Sequence, residues 1–416
     1  MKLRKVGAIA GIGVLVLAGC SQGGTSGGGT KGTINIGIEL PQQGSELASS
    51  GPIINGIKLA VKDAGGTAGG WTIEIPNAVV LDDAKDGVHD PQTGAQNMQA
   101  LVANPNVIAV VGPLNSGVAK VQIPLSNAAG LLQCSPANTN EGLTKPEFGA
   151  LDIRKTNPTK INYVRVVTTD DYQGPAAARY ILQNLSIKSV YIIDSTDTFG
   201  KGIADNFQKY FEANGGTVVA RDGAPKTTTD YTALLTSAKS KNPGAIYFGG
   251  VTADGGARIL KTAVQLGLDV PFVGPDGIYD GSAATKDSFL NLAGDVAGKA
   301  YATAAAVGDF PGRAEFATKF KAAYGTDPTG YSATGYACAQ VVLDALKRAG
   351  PTATDVKDLR EKVRAAGVDP SITYTSVIGA FKFDANGDTS QKIISFYNYD
   401  PTAKNWAFKE QLDFAK

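Results

Sequence analysis

From Thr33 onward, short apolar runs alternate with segments whose apolar residues recur at helical spacing. In the first half, this pattern predicts strands at 33–39, 71–75, 78–81, 107–111 and 131–134, and helices at 53–63, 92–103 and 117–129. The run 107–111 lies between Pro105 and Gly112 and has the continuous apolar character of a buried parallel strand. Strands that alternate with helices in this way predict parallel sheets with right-handed crossovers.

The same order repeats in the second half. Strands are predicted at 163–167, 189–194, 217–221, 245–249 and 271–274, and helices at 174–184, 200–214, 230–241 and 253–266. Ser50-Gly51-Pro52 opens the first helix of one half, and Gln173-Gly174-Pro175 opens that of the other. We therefore predict an α/β protein with two doubly wound, parallel-sheet lobes.

The C-terminal part follows a different pattern. A strand around 299–304 precedes helices near 312–323, 331–349 and 354–366, and 381–399 reads as two strands around an Asn386-Gly387 turn. The acidic residues at this turn resemble the start of a calcium loop, but Thr389 and Ser395 stand where such a loop needs Gly and Glu. We expect a hairpin here and no metal site.

The first twenty residues indicate export. A basic start is followed by the uncharged apolar run 6–18, which is too short to cross a bilayer as a stable helix. The segment ends in Leu17-Ala18-Gly19-Cys20, which is similar to the lipobox of bacterial lipoproteins, where the leader is removed and the Cys is acylated. An ordinary secretory signal is the alternative. Residues 21–32 are rich in Gly and Ser and predict a flexible tether.

Charge and composition exclude several functions. After the leader, 36 basic residues face 38 acidic ones, which offers no basic field for nucleic acid. His89 is the only histidine, and after Cys20 the only cysteines are Cys134 and Cys338, too few ligands for a zinc site of Cys and His. His89 lies in a polar turn, where a solvated side chain is expected. Cys134 and Cys338 could form a disulfide or remain two buried thiols.

Glycines and polar residues gather where the predicted strands end, at 112–117, 135–140, 195–200, 249–252 and 274–277. Ligands of open parallel sheets bind beyond these ends. Ser116 begins a helix whose free N–H groups suit a carboxylate, and Asp276 in the other half could pair with an ammonium. Taken singly, Ser116 could simply cap its helix and Asp276 could stabilise its own turn. Together they predict a site for a zwitterion.

Seven short motifs occur in a fixed order along the chain, at 55–60, 110–113, 134–139, 171–174, 198–202, 248–250 and 274–277. Their order and spacing resemble those of the type I periplasmic binding proteins, in the branched-chain amino-acid-binding group. These proteins are the extracytoplasmic receptors of ABC importers. The resemblance implies a hinge of three crossovers, with lobe 1 formed by 33–166 and 303–391 and lobe 2 by 167–302 and 392–416.

The resemblance also implies residue roles. Ser116 and Thr139 would bind the ligand's carboxylate, helped by backbone groups around Ala137, and Asp276 would bind its ammonium. The residues expected to line the side-chain pocket are Leu114, Asn115, Asn138, Phe199, Val251 and Tyr331; Tyr172, within the motif 171–174, is a further candidate ligand contact. A purely aliphatic ligand would leave the amides of Asn115 and Asn138 unused, which favours another α-amino acid or a small amide over leucine, isoleucine and valine.

We therefore predict a lipid-anchored, monomeric receptor that closes on its ligand by hinge motion and delivers it to an ABC permease. It would need no cofactor and would contact the membrane through a lipid on Cys20. Two alternatives remain: a sensor for another small amide or an aromatic acid that signals through a partner, and a hydrolase using Asp194, Asp197 or Asp276. The hydrolase is the weaker, because no nucleophile–base pair is evident in the sequence.

Overall fold

The computed structural model describes residues 30–415, so the predicted leader, Cys20 and most of the predicted tether lie outside it. The strands are β1 (Thr33–Glu39), β2 (Thr67–Ala68), β3 (Trp71–Glu74), β4 (Val80–Leu81), β5 (Ala84–Lys85), β6 (Val88–His89), β7 (Val107–Val111), β8 (Leu132–Ser135), β9 (Tyr163–Arg165), β10 (Ser189–Asp194), β11 (Thr217–Gly223), β12 (Ala245–Gly249), β13 (Phe272–Gly274), β14 (Ala300–Ala304), β15 (Tyr374–Ser376), β16 (Gly379–Phe381), β17 (Ile393–Asp400) and β18 (Asn405–Asp413). The helices are α1 (Leu47–Asp63), α2 (Pro91–Ala103), α3 (Ser116–Ala129), α4 (Ala150–Ile153), α5 (Asp170–Gln183), α6 (Thr198–Ala213), α7 (Thr232–Ser240), α8 (Gly256–Gln265), α9 (Phe289–Ala293), α10 (Arg313–Tyr324), α11 (Ser332–Ala349) and α12 (Val356–Gly367).

Two separate sheets form two lobes, which confirms the predicted α/β architecture. The sheet of lobe 1 has the order β2-β3-β1-β7-β8-β9, with β4 also paired to β1. The sheet of lobe 2 has the order β11-β10-β12-β13-β14-β17-β18. The pairs from β10 to β14 are parallel, whereas β17 and β18 add an antiparallel edge. In lobe 1, β1 pairs in parallel with β3, β4 and β7, and β8 pairs in parallel with β7 and β9, so both sheets are mostly parallel.

The chain passes between the lobes three times. It leaves the first sheet after β9, and it leaves the second after β14 to form α11 and α12, which pack on β7 and β8 of lobe 1. It then returns to the second sheet at β17. Helix α11 lies so close to α1 that a Cβ at Gly56 would stand 2.2 Å from the carbonyl oxygen of Ser332. Glycine is required there by the close approach of the two backbones.

The disulfide that the sequence left open is present. Cys134 in β8 bonds to Cys338 in α11, with a Cα–Cα distance of 5.7 Å. Both residues belong to the buried core of lobe 1, so the bond joins two distant parts of the chain inside one lobe.

Two local predictions were wrong. Helices α1 and α5 begin at Leu47 and Asp170, so Pro52 and Pro175 lie inside them. Each proline is the sixth residue of its helix, beyond the first N–H groups that have no partner within the helix, so its missing N–H removes one backbone hydrogen bond that the helix tolerates. The segment 381–399 is not one hairpin: a turn at 384–388 brings Phe383 opposite Thr389, but β17 pairs with β14 and β18.

Lys31 fixes the end of the predicted tether to lobe 1. Its ammonium donates to the carbonyl oxygens of Gly350 and Pro351 at 2.9 and 2.8 Å, and its backbone N–H donates to Gly70. Lysine near a helix C-terminus satisfies carbonyls that have no partner within the helix. No helix within residues 30–415 is long and apolar enough to cross a membrane.

Candidate functional site

A cavity of about 500 Å³, part of it open to solvent, lies between the two lobes where their strands end. Lobe 1 contributes Ser45, Glu46, Ser49, Leu114, Asn115, Ser116, Ala137, Thr139 and Tyr331, and lobe 2 contributes Phe199, Val251, Thr252, Asp276, Gly277 and Asp280. The predicted site residues other than Asn138 and Tyr172 are thus brought together in one place. A cleft lined by apolar residues and a few converging polar groups is typical of a small-molecule site.

The lobe 1 wall presents hydrogen-bond donors. Ser116 is the first residue of α3, is buried and lines the cavity. The N–H groups at the start of α3, which have no partner within the helix, therefore lie beside the cavity together with the Ser116 hydroxyl. The loop after β8 is held by Ser135, whose Oγ accepts the N–H groups of Ala137 and Asn138 at 3.2 and 2.9 Å. A helix start beside a fixed loop favours an anionic group.

The lobe 2 wall presents a carboxylate. Oδ2 of Asp276 accepts a hydrogen bond from the Tyr331 hydroxyl at 2.6 Å, and Oδ1 accepts one from Nε2 of Gln173 at 2.8 Å. Both donors are neutral, and burial raises the pKa of Asp276 to about 6. The cavity-lining residues in the described part of the chain include neither Lys nor Arg. Asp276 is therefore suited to a cationic group brought by a ligand.

Asn138 and Tyr172 lie outside the cavity. Nδ2 of Asn138 donates to the carbonyl of Leu114 at 2.7 Å, and its Oδ1 accepts from the Tyr163 hydroxyl at 2.8 Å, so this side chain supports the loop from below. Tyr172 packs its ring against Phe414, with centroids 5.8 Å apart. The rule that ligands bind beyond the carboxyl ends of parallel strands, called here the strand-end rule, predicts which loops lie at the site. It does not predict which side chains of a loop point into the cavity.

The expectation of a solvated His89 was wrong. Its ring is buried, with Nδ1 3.0 Å from Oε1 of Glu46 and Nε2 3.6 Å from Oδ2 of Asp197 in lobe 2. Burial alone would lower the pKa of His89, but Glu46 and Asp197 raise it well above its ordinary value. The same pairing lowers the pKa of Glu46 in spite of burial. His89 is thus a charged link between the lobes.

Further contacts show that the cleft is closed. Nδ2 of Asn140 in lobe 1 donates to the carbonyl of Thr198 at 3.2 Å. Nδ2 of Asn206 in lobe 2 donates to Oε1 of Glu141 at 2.9 Å. These bonds and the Asp276–Tyr331 bond cross the gap between the lobes, so both walls can contact one ligand at once.

Sequence reasoning missed the wall made by Ser45, Glu46 and Ser49. These residues follow the C-terminal end of β1. The strand-end rule, which was applied to the other strands, would have found them if it had also been applied to β1. Of the other lining residues, Thr252 and Gly277 lie within the predicted strand-end segments 249–252 and 274–277, although no role was predicted for them, and Asp280 lies just beyond. The oxygens of Asp280 accept the N–H of Phe289 at 2.9 and 3.0 Å, and burial raises the pKa of Asp280 to about 7.

Comparisons with known proteins give a consistent result. A family model described as "Periplasmic binding protein" matches residues 33–400. The Leu/Ile/Val-binding protein BraC3 of Rhizobium johnstonii is 27% identical over 370 residues, covering 88% of this chain and 92% of its own. The leucine-binding protein LivK of Thermotoga maritima has a TM-score of 0.76 at 23% identity, over 92% of this chain and 99% of its own. LivJ of Streptococcus pneumoniae, solved with isoleucine, has a TM-score of 0.74 at 25% identity, with the same coverages.

Proposed function

The chain belongs to the periplasmic binding protein family, and from this membership and the geometry of its cleft we propose that it is the extracytoplasmic solute receptor of an ABC importer. Its solute is an amino acid or a related small amine that carries a carboxylate. The relatives named above carry amino acids in their names or complexes, which supports this solute class.

The observation that carries the proposal is the division of polarity across the cleft. Lobe 1 offers a helix start with Ser116, Thr139 and the loop at Ala137, whereas lobe 2 offers Asp276, a buried carboxylate with neutral neighbours. A carboxylate and an ammonium on one small molecule satisfy both walls together. Such a ligand binds the closed form better than the open form and so shifts the population toward closure.

A matched series of ligands tests this function. We expect a panel of L-α-amino acids to raise the melting temperature with concentration, because a ligand that binds only the folded state stabilises it. For the best binder, the amide that lacks the carboxylate charge and the acid that lacks the amino group should each bind much more weakly. Equal shifts from all three molecules, or no shift from any amino acid, would contradict the proposal.

Membrane attachment is a separate part of the proposal and rests on the sequence 17–20. We expect the expressed chain to sediment with membranes and to carry acyl chains on Cys20, detectable by mass spectrometry. Cys20→Ala should release the chain into the soluble fraction without changing ligand binding. Membrane retention of that variant would contradict the lipid anchor.

The hydrolase alternative finds no support in the site. Both ring nitrogens of His89 face carboxylates, those of Glu46 and Asp197, rather than a hydroxyl that it could activate. Asp194 is held in an ion pair with Arg221 at 2.8 Å. Binding and release of an unchanged solute therefore describe the site best.

A further inference from the structure

One wall of the cavity carries polar groups to which an aliphatic side chain of a ligand could not hydrogen-bond. It is formed by Ser45, Glu46 and Ser49, which follow β1, and by Asn115 at the start of α3. We call these four residues the polar wall. Two hydroxyls, a carboxylate and an amide are hydrogen-bonding groups, and desolvating them against methyl groups is unfavourable.

Asn115 has an acceptor without a donor. Its Nδ2 donates to Oε1 of Glu46 at 2.7 Å, and because a carboxylate there can only accept, this bond fixes the orientation of the amide. Oδ1 is then buried without a hydrogen-bond partner among residues 30–415, in a side chain that is only 6% exposed. A buried acceptor of this kind requires a donor, and the cavity is where a ligand would supply it.

The charges around the cavity favour a cationic donor. The lining residues within 30–415 carry three carboxylates, of Glu46, Asp276 and Asp280, and neither Lys nor Arg. His89 offsets Glu46, and the ligand's α-ammonium would offset Asp276. Asp280 accepts the backbone N–H of Phe289 and burial raises its pKa to about 7, so a cationic ligand group in the cavity would favour its charged form.

We propose that the polar wall is a subsite for a positively charged, hydrogen-bond-donating group at the end of the ligand's side chain, so that the preferred solute is a basic α-amino acid rather than an aliphatic one. This rests on the proposed function, since the α-amino and α-carboxyl groups must occupy Asp276 and Ser116. The side chain then extends toward Asn115 and Glu46, and its donor completes the hydrogen bonding of Asn115 Oδ1.

Three pairs of amino acids of equal length test the proposal by calorimetry on the intact chain. They are L-2,4-diaminobutyrate with L-norvaline, L-ornithine with L-norleucine, and L-lysine with L-2-aminoheptanoate. Each pair exchanges a terminal ammonium for a methyl group at one chain length. We expect the tightest binder to be a diamino acid, at least about tenfold tighter than its methyl partner, because a site built for a donor rejects the analogue that lacks it.

Variants identify the wall that is responsible. Asn115→Leu should reduce the ammonium-over-methyl preference by about tenfold or more, and Glu46→Gln should reduce it too. Glu141→Gln is the matched control, because Glu141 is a buried glutamate that bonds across the cleft to Asn206 without lining the cavity. Circular dichroism and the melting temperature without ligand show whether each variant is folded, and a ratio of two affinities does not depend on the folded fraction.

The outcomes separate the two proposals. If methyl-ended amino acids bind as tightly as their ammonium partners or more tightly, the basic-solute inference is overturned while the amino-acid receptor stands. If the ammonium preference is present but unchanged in Asn115→Leu and Glu46→Gln, the assignment to the polar wall is overturned. If no amino acid binds, the proposed function fails and the inference fails with it.

Discussion

The two walls of the cleft are built in different ways. Where the ligand's carboxylate is expected, the lobe 1 wall consists of backbone and hydroxyl donors at a helix start and on a loop that Ser135 holds, and the strand beneath it is cross-linked by Cys134–Cys338. The lobe 2 wall consists of acceptors, the buried carboxylates of Asp276 and Asp280, in a lobe without cysteine. Under the proposed function, these donors bind the carboxylate of a zwitterion and Asp276 binds its ammonium, so each lobe holds one half of the ligand.

The difference also separates two kinds of energetic cost. The donors of lobe 1 are dipoles fixed by the fold, and they need little rearrangement to receive an anion. The carboxylate of Asp276 is unfavourable in its buried position until a cation arrives, as its raised pKa shows. Lobe 1 therefore supplies a preformed half-site, and lobe 2 gains most when the ligand binds.

Removing the lobe 2 acceptor should have the largest effect. Asp276→Ala is expected to weaken amino-acid binding by about 2–5 kcal/mol, because the ligand's ammonium would be buried without its partner. Calorimetry measures this loss. Asp280→Asn is the control, since it removes the other carboxylate of this wall; an equal loss in both variants would show that general negative charge, not Asp276, binds the ammonium.

Removing the cross-link of lobe 1 tests whether that wall is the more firmly held. The double variant Cys134→Ser, Cys338→Ser should lose about 2–4 kcal/mol of unfolding free energy, because the bond closes a long loop in the unfolded chain. Urea denaturation with and without a reductant gives the measurement. If reduction leaves the midpoint of the wild-type chain unchanged, the bond contributes nothing to lobe 1.

Weakening the lobe 1 donors should have a smaller effect than removing Asp276. Ser116→Ala is expected to cost about 1–3 kcal/mol of affinity for an amino acid, as for the loss of a hydrogen bond to a charged group. The backbone N–H groups of α3 remain, so binding persists. The same substitution should barely change affinity for the corresponding amide, and an equal loss for acid and amide would argue against a carboxylate at Ser116.

The smallest effect, about 1.4 kcal/mol of binding free energy for each pH unit, is a dependence on pH that acts on the two walls differently. The pKa of Asp276 is raised to about 6 in the folded protein, so its ionisation costs stability, and that cost grows as the pH rises from about 4 to 6. Affinity should change in the opposite sense, falling about tenfold for each pH unit below 6 as Asp276 is protonated. Titration calorimetry at several pH values should show this slope in the wild type, and Asp276→Asn should remove the slope due to Asp276.

Much of the fold could be predicted because its strands can be recognised from the residues within and next to each strand. Strands at 33–39, 107–111, 189–194 and 245–249 have the predicted bounds, since continuous apolar runs that end at Gly, Pro or polar residues leave little choice. Most of the lining residues lie in the segments that these marks place at the strand ends, because a parallel strand delivers its next residues to one edge of the sheet, whereas the pocket roles of particular side chains came from the family resemblance.

What the sequence did not reveal depends on distant parts of the chain. His89 looks like a turn residue, and its burial comes from Glu46, 43 positions earlier, and from Asp197 in the other lobe. The pairing of Cys134 with Cys338 follows from where α11 packs, across a separation of 204 residues. Neither relation has a local signature, because long-range packing alone brings these side chains together.

The contacts of Lys31 have a mechanical consequence. The chain enters the folded body at a point where one ammonium is held by carbonyl groups at the end of α11, within lobe 1. Under the proposed lipid anchor, tension on the tether is borne by lobe 1 and does not load the three crossovers. Lobe 1 would then stay fixed relative to the membrane, and lobe 2 would move relative to lobe 1 as the cleft opens and closes.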